Sequence, residues 1–492
     1  MSDDVLVTRL AQRLLPDASR VVAPLFVPGH YVDDVGEGRA SGVVERILAL
    51  TEEQVVDAMA DVSERFGCRH RDLSAAFLRH ADRIANRLDS SVTLSAARRL
   101  LLGATFTHEY AVEAAALCNP SAVAHPDQSG LTTGSLRFVM SVRQIGEGHR
   151  SSVGFRTGVI SAHGDVSIED TAPFATSGVV DATRFDVDVF CGLVERYHED
   201  TEAIRWVLDR LADDFTADEL EVRLRQLEAQ RDTRRNASRA ARRLREQAAR
   251  MYTATFDPTS QISERVLYPA IGVESNGIED ARFVRFVETD GSVLYHATYT
   301  AYDGGTIRQQ LLITEDFLTF VVSPLVGAGA ANKGLALFPR RVGGRFAALS
   351  RHDGSSNGIA FSDDIRQWPT VAPLECPSSA WEAIQRGNCG PPIETERGWL
   401  VLTHGVGPMR TYSIGAWLLD LQNPSRVIGR LREPLLSPAP DEQDGYVPNV
   451  LYSCGAVQHG DILMLPYGIG DSAIGFATAS VSEVVGAMEP VG

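Results

Sequence analysis

The segment Gly398-Trp399-Leu400-Val401-Leu402-Thr403-His404-Gly405 has a form that recurs along the second half of this 492-residue chain. A glycine-containing turn leads into an apolar strand, and the strand ends in a polar or aromatic residue. Comparable segments stand at 283–299, 343–349 and 460–468. Their spacing of about 50–65 residues is typical of β-propeller blades. Because a further strand-rich stretch covers 118–180, the sequence predicts a mainly β fold, a five-bladed β-propeller.

Helical patterns precede and interrupt these strands. Thr51 and Gln54 have the spacing of a capping box, and apolar residues recur every three to four positions between Phe66 and Ile84. Residues 1–39 contain proline and glycine and are predicted to form an irregular arm. We expect four segments: an N-terminal arm and helical region over 1–117, the first part of the propeller over 118–185, a helical insertion over 186–252, and the remainder of the propeller over 253–492.

Composition restricts the partners. The chain has 47 basic and 64 acidic residues and a formal net charge of -17. Such a surface repels phosphate backbones and anionic lipids, so we expect neither nucleic acid nor a membrane as partner. No secretory signal or membrane-spanning apolar run is visible, and the six cysteines form no CxxC pair. The expectation is a cytoplasmic protein with reduced thiols and without a metal site.

The densest polar cluster runs from Glu274 to Arg282. Side chains alternate along a strand, so only one of the adjacent carboxylates Glu279 and Asp280 is expected to face a pocket. Arg282 lies two residues after Asp280, on the same side. A carboxylic acid beside an arginine fits acid catalysis on a sugar bond. A turn with a surface ion pair is the alternative.

These residues resemble a known family, glycoside hydrolase family 130, which contains inverting β-mannoside phosphorylases and related β-1,2-mannosidases. The family's G-I-E-D-P-R signature stands here as Gly277-Ile278-Glu279-Asp280-Ala281-Arg282, with alanine in place of proline. Further matching segments follow in family order: Asn332–Pro339, Leu349–Arg351, Gly387–Ile393, Gly398–Leu400, His404-Gly405, Tyr412–Asp420, Val447–Gly455 and Tyr467–Asp471. Asn119-Pro120-Ser121 and Phe155-Arg156 resemble the family's first blade. The resemblance covers about 118–180 and 255–485.

The resemblance implies a propeller enzyme that acts on a small oligosaccharide with a terminal β-mannosyl unit, β-1,2-linked by expectation. Asp280 would be the general acid, with its proton reaching the glycosidic oxygen through the mannose 3-hydroxyl. This relay would explain a single conspicuous carboxylate where most inverting enzymes need a pair. The residues expected to hold the sugar are Asn119, Ser121, Arg156, Tyr299, Tyr412 and Asp471.

The nucleophile separates two enzymatic alternatives. A phosphorylase needs no cofactor but holds inorganic phosphate as co-substrate, and it would bind the phosphate through His404, Arg351, Arg282 and Lys333, the single lysine of the chain. Gln385 and Thr300 replace a lysine and an asparagine that are common in the family's phosphorylases. A hydrolase would instead need a base, for which Glu442 or Asp444 is expected.

Phosphorolysis giving mannose 1-phosphate is favoured because other arginines are abundant, and phosphate-independent hydrolysis stays open. A sugar-binding propeller without catalysis is the third alternative. Linkage specificity and assembly into a homo-oligomer also stay open.

Overall fold

The computed structural model describes residues 6–28, 39–85, 88, 92–194, 201–230, 236–374 and 377–491. In the N-terminal quarter, four helices lie between short strands. These elements are β1 (Thr8–Leu14), β2 (Val21–Val22), α1 (Arg39–Leu48), α2 (Glu52–Phe66), α3 (Leu73–Ala85), α4 (Ala96–Thr105) and β3 (Tyr110–Ala111). Thr51 begins α2 through the predicted capping box with Gln54.

Strands then dominate, with one helical interruption. The elements up to that interruption are β4 (Ala116–Ala124), β5 (Leu136–Ile145), β6 (Ser151–Ile160), β7 (Val166–Ile168), β8 (Thr176–Ser177), β9 (Val179–Asp181) and β10 (Arg184–Asp186). The segment predicted to be helical, 186–252, contains α5 (Val187–Val194), α6 (Thr201–Leu208), β11 (Asp214–Thr216), α7 (Ala217–Ala229) and α8 (Ala237–Ala248). Its helices share a separate apolar core that includes Phe190, Leu224 and Leu244.

The rest of the chain is almost entirely strand. Its elements are β12 (Tyr252–Thr255), β13 (Arg265–Leu267), β14 (Gly277–Val287), β15 (Val293–Tyr302), β16 (Ile307–Thr314), β17 (Thr319–Pro324), β18 (Ala336–Leu337), β19 (Phe346–Ser350), β20 (Gly358–Ser362), β21 (Ala372–Pro373), β22 (Gln385–Asn388), β23 (Ile393–Thr395), β24 (Gly398–Val406), β25 (Tyr412–Leu419), β26 (Val427–Arg430), β27 (Leu451–Tyr452), β28 (Val457–His459), β29 (Ile462–Ile469), β30 (Ala473–Ser480), α9 (Val481–Gly486) and β31 (Glu489–Pro490). The protein is therefore mainly β.

The strands pair as successive antiparallel arrays. Their orders are β4-β5-β6, β14-β15-β16-β17, β18-β19-β20-β21, β22-β24-β25-β26 and β27-β29-β30-β1. A single parallel pair between β6 and β14, with Gly277 opposite Ser151, joins the first two arrays into one sheet, which β12 and β9 extend. One cavity of about 410 Å³ is lined by Val123 of β4, Val284 of β14, Arg340 after β18, Ile393 of β23 and Val457 of β28. Because β23 pairs with β24 and β28 with β29, one segment from each array borders this cavity.

Strand β1 corrects the sequence-based expectation of an irregular arm over residues 1–39, which is wrong for Thr8–Leu14. This strand pairs antiparallel with β30, with Thr8 opposite Thr478 and Leu14 opposite Ile474. Its side chains alternate between exposed and half-buried, and Leu10 and Leu14 pack on a core that contains Phe476. The segment T-R-L-A-Q-R-L does not alternate strictly between polar and apolar residues, and its partner strand lies at the far end of the chain.

Disruption of β1 is expected to destabilise the fold. Replacing both Leu10 and Leu14 with aspartate places two charges against apolar side chains, and we expect a loss of about 2–4 kcal/mol in the free energy of unfolding. Urea unfolding followed by circular dichroism measures the loss. The matched control is Arg13→Gln, whose side chain is 39% exposed, and it should change stability by less than about 1 kcal/mol. Equal effects of the two variants would contradict the pairing.

No helix within the described ranges is long and apolar enough to cross a membrane.

Candidate active site

Asn119 and Asp280 face each other across the first strands of two arrays. Each lies at a bulge, where the register shifts between Cys118 and Ser121 in β4 and between Glu279 and Arg282 in β14. Their φ angles are 49° and 55°, in the left-handed region that asparagine and aspartate tolerate better than other non-glycine residues. The Asn119 side-chain amide donates a hydrogen bond to Asp280 Oδ1, and both residues are buried. The two bulges thus aim two polar side chains at one point.

Arg143, on β5, joins both adjacent carboxylates. Its Nη1 donates to Asp280 Oδ1 at 3.2 Å, and its Nη2 donates to Glu279 Oε1 at 2.7 Å. Its Nε donates to Ser151 Oγ at 3.0 Å. Both carboxylates therefore reach the same arginine, because the bulge breaks strand alternation at this position. Sequence reasoning missed Arg143, which no local motif distinguishes.

The charges around Asp280 favour its ionised form. Burial by itself raises the pKa of Asp280, but the positive charges of Arg143, Arg282 and Lys333, with the hydrogen bond from Asn119, outweigh it and lower the pKa to about 2. Burial raises the pKa of Glu279, against the opposing charge of Arg143. Asp280 therefore carries a negative charge at neutral pH until another anion or a substrate changes its surroundings.

Asp471 belongs to the same electrostatic cluster. It follows β29 with a φ of 49°. Burial raises the pKa of Asp471, as does the nearby charge of Asp280, whereas Arg143 and Arg410 oppose the rise. The structure thus brings together three sequence-predicted residues, Asn119, Asp280 and Asp471.

Arg282 holds the backbone of this site in place. Its Nη1 donates to the main-chain carbonyl of Asp280 at 2.9 Å, its Nε to the carbonyl of Cys389 at 3.2 Å, and its Nη2 to the Tyr452 hydroxyl at 2.9 Å. The guanidinium is completely buried. Arg282 therefore fixes the backbone that carries Asp280 and positions Tyr452, which sequence reasoning also missed.

His404 lies in an aromatic stack beside Tyr452. The two rings meet edge to face with centroids 4.8 Å apart, and Tyr412 stacks parallel to His404 at 6.1 Å. Burial, followed by the charges of Arg351 and Arg282, lowers the pKa of His404 well below its ordinary value, so the imidazole is neutral. Gln385 Nε2 lies 3.3 Å from His404 Nε2.

Arg351 packs directly against His404 because Gly387 has no side chain. A Cβ at Gly387 would lie 2.4 Å from Arg351 Nε and 2.5 Å from His404 Cε1. Arg351 Nε and His404 Nδ1 are buried and have no hydrogen-bond partner among the described residues. Buried polar atoms normally have partners. The buried Arg351 guanidinium therefore has an N–H with capacity to bind an anion or hydroxyl beside the neutral His404 ring.

Lys333 is exposed in the loop between β17 and β18. Its backbone N–H donates to the Asn332 side chain at 2.8 Å. Its ammonium charge acts on three carboxyls. It helps to lower the pKa of Asp280, and it opposes the rise in the pKa of Glu279 and of Asp471. The single lysine thus lies within electrostatic reach of every carboxylate in the site.

Other sequence-predicted sugar ligands bind other partners. Arg156 forms a buried ion pair with Glu113 at 2.8 Å, which also pairs with Arg20. The Tyr299 hydroxyl donates to Glu274 at 2.5 Å inside an apolar core. In the described part of the chain, neither the Arg156 guanidinium nor the Tyr299 hydroxyl forms a hydrogen bond with Asp280.

Ser121 joins two strands, since its hydroxyl accepts the Phe283 N–H at 3.1 Å. Among the predicted bases, Glu442 is buried, accepting from the Tyr467 hydroxyl at 2.7 Å and from Arg9 Nε at 3.2 Å. Asp444 is exposed. Glu442 therefore stabilises the junction with β1, and only Asp444 is open to solvent.

Within the described residues, no three histidine, cysteine or acidic side chains lie close enough together to hold a metal ion. The site is instead a cluster of carboxylates surrounded by arginine, imidazole and amide donors, an arrangement suited to a polyhydroxylated or anionic substrate.

Comparison with known proteins identifies the family. The sequence profile of glycoside hydrolase family 130, described as beta-1,4-mannooligosaccharide phosphorylase, matches residues 256–490. A 1,2-beta-oligomannan phosphorylase of Thermoanaerobacter sp. (strain X514) is 34% identical over 216 residues, which are 43% of this chain and 71% of the relative. A beta-1,2-mannobiose phosphorylase of Listeria innocua is 33% identical over 230 residues, 45% of this chain and 63% of the relative.

Among solved structures, the beta-1,2-mannobiose phosphorylase from Listeria innocua in complex with beta-1,2-mannobiose aligns with a TM-score of 0.46 at 21% identity, over 77% of this chain and 92% of that one. With the profile match and relatives more than 30% identical over about 70% of their length, this chain belongs to glycoside hydrolase family 130.

Proposed function

We propose that this protein cleaves a terminal β-mannoside by phosphorolysis with inversion and releases mannose 1-phosphate. The observation that carries the proposal is the buried Asp280, held by Asn119 and Arg143 beside the donors of His404 and Arg351. Relatives named 1,2-beta-oligomannan phosphorylase and beta-1,2-mannobiose phosphorylase support this activity and favour a β-1,2-linked manno-oligosaccharide as substrate.

Asp280 acts as general acid in this proposal. A phosphate oxygen attacks the anomeric carbon, and the glycosidic C–O bond breaks on the opposite face. The departing oxygen takes the proton of the mannose 3-hydroxyl, which in turn receives the proton of Asp280. Asn119 and Asp471 hold the mannosyl unit, and Tyr412 borders it through its stack on His404.

Phosphate binding also favours protonation of Asp280 by solvent. With a pKa of about 2, Asp280 is ionised as long as no other anion binds the arginines around it. A phosphate bound by Arg351, His404 and Lys333 adds negative charge close to Asp280 and offsets the cations that hold its pKa low. The pKa of Asp280 then rises, so the protonated acid is formed more readily when the nucleophile is in place.

Hydrolysis is the second candidate, and Gln385 favours it. This neutral amide contacts His404 where many family phosphorylases carry a lysine. Thr300 Oγ1 is buried without a hydrogen-bond partner among the described residues. In a hydrolase, Asp444 would be the base that activates water, because Glu442 is occupied by Tyr467 and Arg9.

Product analysis with and without phosphate distinguishes the two. For phosphorolysis, β-1,2-mannobiose and phosphate should give mannose 1-phosphate and mannose in equal amounts. A phosphate concentration of about 10 mM is suitable because it exceeds typical KM values of about 1 μM–1 mM. Without phosphate, the rate should fall about 100-fold or more, because the nucleophile is missing. Ion chromatography measures both products. Equal rates and free mannose alone would establish hydrolysis instead, and mannobiose binding without turnover would indicate a non-catalytic protein.

We also propose that the five strand arrays are the blades of a five-bladed propeller, interrupted by residues 186–252. The position of one segment from each array around one cavity supports this arrangement. The pairing of β1 with β30 supplies the outer strand of the last blade. A crystal structure that showed the arrays stacked as a flat sandwich would contradict it.

A further inference from the structure

The glycine-rich segment Gly146-Glu147-Gly148-His149-Arg150 has no role in the proposed reaction, yet it is held in a defined shape. The Tyr110 hydroxyl donates to the carbonyls of Glu147 and Arg150 at 2.9 and 3.0 Å. A Cβ at Gly146 would lie 2.3 Å from the Ala111 carbonyl oxygen, so only glycine fits there. His149 has a φ of 58°, an unfavourable value for a non-glycine residue. The segment therefore presents His149 at the surface from a fixed base.

His149 meets an exposed tyrosine from the other end of the chain. The rings of His149 and Tyr446 lie 5.4 Å apart at an interplanar angle of 35°, and the Tyr446 hydroxyl is 3.1 Å from His149 Nδ1. Tyr446 is 56% exposed. An aromatic pair with this exposure leaves apolar ring faces in water, where a ligand can cover them.

Two anchors place this pair at the mouth of the site. The Tyr446 N–H donates to Ser472 Oγ at 2.6 Å, and Ser472 directly follows Asp471. Ser151, two residues after His149, accepts the hydrogen bond of Arg143 Nε, and Arg143 in turn binds Asp280. The pair thus connects two segments, one that carries Asp471 and one that carries Ser151, the hydrogen-bond partner of Arg143. The exposed rings of the pair lie on the solvent side of the buried carboxylates.

Another exposed apolar side chain is next in the chain to a residue that acts on Asp471. Met409 is 86% exposed, and both Met409 and Arg410 have positive φ angles, 57° and 56°. The charge of Arg410 acts on Asp471, so this loop lies within electrostatic reach of that carboxylate. An exposed apolar side chain and an exposed aromatic pair are therefore both found close in the chain to residues that act on or carry Asp471.

We propose that Tyr446 and His149 form a platform for the sugar on the leaving-group side of the scissile bond. The inference rests on the proposed function and adds to it the residues that bind the acceptor sugar. The C–H face of a pyranose packs on the tyrosine ring, and sugar hydroxyls bond to the tyrosine oxygen and the imidazole. The mannosyl unit that is transferred lies deeper, against Asn119 and Asp280.

The synthetic direction separates the two sugars. With mannose 1-phosphate as donor and mannose as acceptor, Tyr446→Ala should raise the KM for the acceptor about 10-fold, the effect of losing one aromatic contact. The KM for mannose 1-phosphate should stay within about 2-fold, since the donor does not touch the platform. Tyr446→Phe, which keeps the ring, should show a smaller rise, and His149→Ala a rise in the same direction. Phe26→Ala, which removes an exposed ring packed on His108, is the control.

Three outcomes would overturn the platform: an unchanged acceptor KM in Tyr446→Ala, equal rises for donor and acceptor, or a fall in kcat alone. Thermal melting shows whether each variant is folded. If the wild type does not use mannose 1-phosphate at all, the proposed function fails while the platform is still testable. Calorimetric titration of β-1,2-mannobiose into Asp280→Asn, with and without Tyr446→Ala, then decides it, and an unchanged Kd rejects it.

Discussion

Replacing Asp280 with asparagine is expected to lower kcat for β-mannoside cleavage about 1,000-fold, within the usual range for removal of a general acid. Asparagine has the same shape as aspartate and cannot deliver a proton. Because the ground-state contacts with the sugar are largely kept, the Kd for β-1,2-mannobiose should change less than about 5-fold. Steady-state kinetics and calorimetry measure the two quantities.

Glu279→Gln is the matched control for this result. Glu279 binds the same Arg143 and is next to Asp280 in the chain. If Asp280 alone carries the proton, Glu279→Gln should retain activity within about 10-fold, the size of a positioning effect. A larger loss in Glu279→Gln than in Asp280→Asn would assign the acid role to Glu279.

Replacing Arg143 with methionine is expected to damage both stability and activity. The change leaves Glu279 and Asp280 as adjacent carboxylates without their shared cation, and breaking a buried ion pair in this way costs about 3–5 kcal/mol. The rate should fall about 100-fold or more, because Asp280 loses one of the two side chains that orient it. Urea unfolding and steady-state kinetics measure the two losses at pH 7.

The loss of stability should depend on pH in a defined direction. In the wild type, the pKa of Asp280 is about 2, below its ordinary value of 3.8, so its stabilising contribution is complete above about pH 4 and is lost as the pH falls towards 2. Without Arg143 the pKa of Asp280 rises. The difference in unfolding free energy between wild type and Arg143→Met should therefore be largest at pH 7 and should shrink below pH 4.

Arg137→Met, on the same strand, is the control. Its ion pairs with Asp127 and Glu169 are 3.9 Å long and involve exposed carboxylates, so the loss should stay below about 1 kcal/mol. A constant difference between wild type and Arg143→Met from pH 7 to pH 3 would show that Arg143 contributes only packing.

The sequence predicted the strand-rich fold, and it singled out Asp280 as a candidate, because both inferences depend on local patterns. Turn residues and apolar alternation mark strands directly, and the segment around Asp280 matches the family motif. The orientation of Glu279 could not be predicted. The bulge between Glu279 and Arg282 shifts the alternation of side chains along the strand, and no residue type in the sequence marks the position of this bulge. The conspicuous motif arginine, Arg156, binds Glu113, whereas Arg143 reaches the site.

Choosing between these arginines needs the pairing of distant segments. Arg143 and Arg156 stand on adjacent strands, and their roles depend on the positions of Asp280 and Glu113. The same limit applies to Tyr299. Its position in the alternating pattern of the strand is compatible with a substrate site as well as with the apolar core. Long-range contacts decide each case, and one sequence does not contain them.

The pairing of β1 with β30 has a consequence for biogenesis. Thr8 leaves the ribosome long before Thr478, the residue opposite it, has been translated. During that interval β1 is an unpaired strand, able to join a neighbouring nascent chain. Closing so long a loop is also entropically unfavourable and belongs among the late steps of folding. Expression at lower temperature or with chaperones should therefore increase the yield of the native protein. A variant whose β1 is fused after β30 should gain less from the same conditions.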